Sequence, residues 1–189
     1  MADAVGIFPI PEPVRAHMLG RSFRDDPRCP PFEALRLVRV LHVSFEGATQ
    51  QGELIVHESL AEQVRVIFGE LHALAFPIAS MKRIDHWDAD DERSMAANNS
   101  SAFNFRVIQG TDTLSRHALG RAVDINPMQN PWLRGERVDP EAGRAYLDRA
   151  HVRAGMIVAN GPVVAAFKQR GWSWGGDDPS DPDYHHFAK

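Results

Sequence analysis

The chain has 189 residues, enough for one domain with a real hydrophobic core. Its 43% apolar and 24% charged content is that of an ordinary globular protein. A formal charge of -4, with no basic run interleaved with aromatics, argues against a nucleic-acid binder.

The single cysteine, Cys29, excludes an intramolecular disulfide, and no stretch approaches the roughly 20 apolar residues that span a membrane. Met1 to Pro9 lacks the basic and apolar regions of a secretory signal. A leader could have been removed, so localisation stays open.

Residues 1–34 hold Pro9, Pro11, Pro13, Pro27, Pro30 and Pro31 and show little periodicity. This predicts a Pro-rich N-terminal arm in extended form, followed by the functional domain over 35–189. From Leu35 to Phe45 the chain reads as a strand, 47–52 as a turn, and Glu53 to His57 as a second strand, together a β-hairpin. Glu58 and Ser59 then open a helix whose apolar stripe is Leu60, Val64, Ile67, Phe68, Leu71 and Leu74.

Phe76 to Met81 is extended. Asp85 to Arg93 is acidic but lacks the glycine and terminal glutamate of an EF-hand, which predicts a solvated loop. Phe103, Phe105 and Val107 alternate with Asn104 and Arg106, predicting a half-buried strand with Asn104 and Arg106 on one face. A loop to Trp132, helical character over Pro140 to Arg153, and a short helix from Val163 to Gly171 follow.

The chemistry concentrates in two stretches. In the first, Ser115 to Asn126, His117 and Asp124 stand on either side of Gly120. Val123 and Ile125 point to one face of a short strand and Asp124 to the other. Gly120 permits a bend that folds His117 back over the Asp124 face. A helix would also align the two, but the glycine and the Val/Ile alternation argue against one. An imidazole and a carboxylate on one rigid face suit Zn²⁺; the plainer alternative is a loop histidine and a surface carboxylate.

A third donor is needed, and the tail supplies it. Gly171-Trp172-Ser173-Trp174-Gly175-Gly176 could form an aromatic wall beside a cleft, or simply a packed core. Asp183 and His186, three residues apart, face the same way on one turn. With His186 as ligand, Asp183 lands beside the water position as general base. By spacing alone His185 rivals His186, and Asp177, Asp178 and Asp181 rival Asp183.

Together, Ser115-x-His117-x-x-Gly120-x-Ala122-x-Asp124, the Gly-Trp-x-Trp-Gly-Gly run and Asp183-x-x-His186-Phe187 resemble the zinc D-alanyl-D-alanine carboxypeptidases and L-alanyl-D-glutamate endopeptidases of peptidoglycan (VanY-type, or LAS, peptidases). The resemblance runs from about Gly52 to Phe187 and leaves out residues 1–34.

It implies His117, Asp124 and His186 as ligands of one Zn²⁺ per chain and Asp183 as acid/base. The resemblance places the family's arginine, which helps bind substrate and stabilise the oxyanion, on Arg106, although the residues around it differ from the commoner Tyr-Arg-Ser form. By the same comparison Ser115 is a candidate for a hydrogen bond to substrate. Asn104, beside Arg106, and Trp174, in the aromatic wall, are further candidate substrate contacts.

The implied fold is a small α+β domain with helices packed on an antiparallel sheet that carries the ligands, and the implied partners are peptidoglycan stem peptides, with no nucleic acid. The expected state is a monomer acting at the bacterial cell wall, after secretion or release as a phage lysin. The competing class is a non-catalytic zinc-containing cell-wall-binding module, which needs the three ligands but not Asp183.

Overall fold

In the computed structural model, which describes residues 5–108 and 110–189, the β-hairpin and the helix after it form the first layer. Strand β1 (Gly6–Phe8) and helix α1 (Glu12–Met18) precede β2 (Leu35–Val43) and β3 (Thr49–His57). β2 pairs antiparallel with β3 from Leu35↔His57 to Val43↔Thr49, and β1 adds to its other edge. The hairpin turn closes with Gly47 at φ +80°.

Helix α2 (Glu58–Ala73) buries Leu60, Val64, Ile67, Phe68 and Leu71 against Val38, Val40, Leu54 and Val56 of the hairpin. Each such large side chain contributes about 1.5–3 kcal/mol by leaving water.

A short parallel pair follows, β4 (Ser80–Met81) with β5 (Asn99–Ser100), separated by α3 (Asp91–Ala96). The second half begins at β6 (Ala122–Asp124) and continues with the hairpin β7 (Trp132–Arg134) and β8 (Arg137–Asp139). It ends with α4 (Pro162–Lys168), β9 (Ser173–Trp174) and β10 (His186–Ala188). The strands order antiparallel as β6-β10-β9. Val123, Ile125, Phe167, Trp172 and Phe187 join the α2 core, so one hydrophobic interior underlies both sheets. This is an α+β fold.

Four expectations give way to the structure. Residues 5–34 are not an extended arm: β1 joins the sheet, and Ile10, Met18 and Cys29 pack on Leu35, Leu37, Ile55 and Phe103. Two of the prolines there help start a helix rather than prevent one: Pro11 directly precedes α1, and Pro13 sits in its first turn, where no N–H is required.

Nor is Asp85 to Arg93 a solvated loop. Ile84–Trp87 forms a 3₁₀ turn, Asp90 caps α3 by accepting from the Arg93 N–H at 3.0 Å, and Asp85 is buried. Its Oδ2 contacts His17 Nδ1 at 2.7 Å and Arg83 Nη2 at 3.3 Å.

Residues 101–106 form no regular ladder because their N–H groups go to scattered acceptors. Ser101 donates to Asp124 O, Phe103 to Ile55 O, Asn104 to His117 O and Phe105 to Ser22 O. Between Pro140 and Arg153 only Glu141–Tyr146 is helical, as a 3₁₀ turn.

Gly120 shows how tightly the halves join. At φ +66° it ends the turn carrying His117, its carbonyl accepts from the His57 N–H at 2.8 Å, and an added Cβ would lie 2.6 Å from His57 N. Gly120→Ala should therefore cost more than about 1 kcal/mol. Urea unfolding would show a lower midpoint; an unchanged midpoint would mean that the contact relaxes freely.

Candidate metal centre and cleft

His117 lies on a one-turn 3₁₀ helix, Arg116–Leu119, started by Ser115, whose Oγ accepts from the His117 N–H at 3.2 Å. The ring Nδ1–H donates to the Ala102 carbonyl, so Nε2 carries the lone pair. Asp124 ends β6, with its backbone doubly bonded to Ser101. His186 begins β10 directly opposite Asp124 in the ladder.

Three donor atoms consequently converge. His117 Nε2 is 3.1 Å from Asp124 Oδ2 and 3.2 Å from His186 Nδ1, and His186 Nδ1 is 2.9 Å from Asp124 Oδ1. Two imidazoles and a carboxylate crowded this closely, one imidazole already turned lone-pair-first by a backbone carbonyl, make a donor set that could hold a metal ion.

The tail explains how Asp183 reaches this place. Gly175 accepts the Asp183 N–H at 3.2 Å, and a Cβ on Gly175 would lie 2.5 Å from Asp183 O, so only glycine admits the crossing. Trp132 and Asp183 also form a backbone bridge. Burial pushes the Asp183 carboxyl above the usual carboxylate range, against the pull of His185 and His186. Burial would raise Asp124 as well, but the adjacent His117 and His185 and the hydrogen bonds from His117 and His186 override it. Asp124 is held well below that range. For His186, burial opposes the charged ring, yet Asp124 and Asp183 outweigh it and raise its pKa.

A cleft of about 530 Å³ opens over the donors, lined among others by Arg106, Ser115, His117, Asp124, Asp183 and His186. Six of the eight sequence candidates thus share one cavity. The other two do not line it. Trp174 is core: its indole N–H donates to Tyr184 O at 2.9 Å, and Gly176 lies flat against its ring. Asn104 is buried, donating to Asp91 Oδ1 at 2.9 Å and Ala89 O at 3.1 Å. Asp91 in turn pairs with Arg106, so Asn104 meets the cleft only through the carboxylate that holds the arginine.

Three contributors were not singled out from sequence. Asp91 was hidden in the acidic run, with no local sign of its partners. The β7–β8 hairpin forms a wall, where buried Asp139 binds Arg134 at 2.6 Å and Arg137 at 2.8 Å. Gly135, at φ +59°, was its available turn signal. Asn130, fully buried, holds the loop after β6.

Residues 109–189 match a family model described as D-alanyl-D-alanine carboxypeptidase. That match supports a peptidase hydrolase, and it spans His117, Asp124, Asp183 and His186 but not Arg106. No curated protein and no solved structure matches the chain. Among the described residues no helix is long and apolar enough to cross a membrane.

Zinc added to metal-free protein at about 100 times its dissociation constant should stabilise the fold by about 2.7 kcal/mol. Differential scanning calorimetry would record the higher unfolding temperature, and His117→Ala should abolish the rise. An equal rise in that variant would remove His117 from the donor set.

Proposed function

We propose that the protein is a zinc-dependent peptidoglycan peptidase that hydrolyses a stem-peptide bond, either D-Ala-D-Ala at the carboxyl end or L-Ala-D-Glu within the stem. The observation that carries this reading is the meeting of His117 Nε2, Asp124 and His186 Nδ1 within 3.2 Å of one another, under a cleft that Asp183 also lines. The family match over residues 109–189 supports the peptidase class independently.

In this reading His117, Asp124 and His186 hold one Zn²⁺, which when bound supplies a Lewis acid and lowers the pKa of water from 15.7 toward about 7. Asp183 takes the proton from the attacking water and delivers it to the leaving amine. Its buried carboxyl, shifted upward, suits a group that must both accept and release a proton. Arg106 faces the cleft with a permanent charge and stabilises negative charge growing on the peptide carbonyl oxygen. Ser115 Oγ already accepts from His117 N–H, which leaves its own hydrogen for substrate.

The test is incubation with a purified stem pentapeptide, with and without chelator, followed by mass spectrometry. Chelator-sensitive loss of the terminal D-Ala, or a cut after L-Ala, supports the reading and names the bond. Zinc binding without cleavage would instead fit the non-catalytic cell-wall module.

Asp183→Asn should keep zinc while losing about 10²–10⁴ in kcat; near-full turnover would show that another group is the base. Arg106→Ala should lose about 10²–10³ in kcat/KM. A loss below tenfold in steady-state kinetics would take Arg106 out of the reaction.

A further inference from the structure

We propose that His185 is a positioning residue that acts through Asp183, an inference that rests on the reading of Asp183 as the proton-transferring carboxylate. By sequence His185 competes with His186 as a ligand. In the structure the donor cluster takes His186, and the His185 ring, almost fully buried, does a different job. Its Nδ1 lies 2.7 Å from the Asn130 carbonyl, which can only accept, so Nδ1 carries the hydrogen there. The opposite nitrogen, Nε2, then stands 3.1 Å from Asp183 Oδ1.

That carboxylate oxygen is buried and, among the described residues, receives no well-aligned hydrogen bond. The approach of His185 Nε2 to this oxygen is close enough for one hydrogen, carried by either partner, to join them and limit rotation of the carboxylate. With Oδ1 turned to His185, Oδ2 is left for the water and the leaving amine.

The anchor at the other end is firm. Asn130 is fully buried, its Nδ2 donates to Gly155 O at 2.9 Å, and its Oδ1 accepts from the Ile157 N–H at 2.7 Å. Rigidity thus passes from the loop after β6, through one imidazole, to the carboxylate. Only histidine among the natural side chains offers a flat ring with a nitrogen on each side at this span.

Two amides separate the two contacts. Asparagine places its amide near the Nδ1 position and can keep the Asn130 contact, whereas glutamine reaches the Nε2 position and can keep the contact to Asp183. With the stem pentapeptide as substrate, His185→Asn should lose about 10- to 100-fold in kcat, with KM and zinc content held. His185→Gln should recover much of that loss. In an Asp183→Asn background, His185→Asn should cost nothing further, because the residue acts through the carboxylate.

Wild-type kcat in His185→Asn, an equal loss in His185→Gln, or additive losses in the double variant would overturn the proposal. Full activity in Asp183→Asn alone would instead overturn the reading beneath it.

Discussion

The site depends on the register of one strand pair. β10 opposes β6 so that His186 faces Asp124 and Phe187 faces Val123. Phe187 is fully buried and stacks on Phe167 with ring centroids 3.9 Å apart, in the same core as Trp174 and α2. Side chains alternate along a strand, so seating Phe187 in the core turns His186 to the opposite face, toward Asp124. A slip by one residue would expose Phe187 and bury the imidazole. Hydrophobic packing therefore sets the distance between His186 and Asp124.

The electrostatics follow from that placement. Asp124 and Asp183 are both buried in one cleft, yet their environments push them apart. Asp124, with two histidines against its oxygens, is held in its charged form, while burial pushes Asp183 toward its neutral form against the pull of His185 and His186. On the proposed reading, these opposite shifts match a charge-holding role for Asp124 and a proton-moving role for Asp183. A stability argument would not predict this arrangement, since buried charges cost more than the apolar residues that could replace them.

What was legible in the sequence was whatever local chemistry decides. The β2–β3 hairpin and α2 announce themselves by alternation and by a 3.6-residue stripe, and Gly120 with Val123 and Ile125 fixes the turn and strand that present His117 and Asp124. Distant partners decided the rest. The segment 101–106 looks like a strand but spreads its hydrogen bonds over Ile55, His117, Ser22 and Asp124, none of which its own sequence encodes. Asn104 reads as a cleft polar group and is instead the clamp on Asp91. Trp174 reads as a wall and is core, because Gly176 and Tyr184 close over it. The prolines before Leu35 read as breakers because the sheet edge that receives β1 lies downstream.

The same division runs through the cleft itself. Its floor, made of His117, Asp124, Asp183 and His186, is held by ladder pairing, buried rings and glycines that admit no side chain. Its walls, α3 and the β7–β8 hairpin, meet through Arg137 and Glu92 at 3.1 Å, both substantially exposed. A pair of that kind contributes about 0–1 kcal/mol and is screened by salt, so substrate can displace it at small cost. The floor must keep one geometry for its chemistry, and its residue types and spacing are correspondingly constrained. The walls need only admit a particular chain, and many sequences can do that. On the proposed reading, reaction class is carried by the motif, whereas the choice of peptide bond would reside in surfaces whose shape depends on weak contacts between segments far apart in the chain.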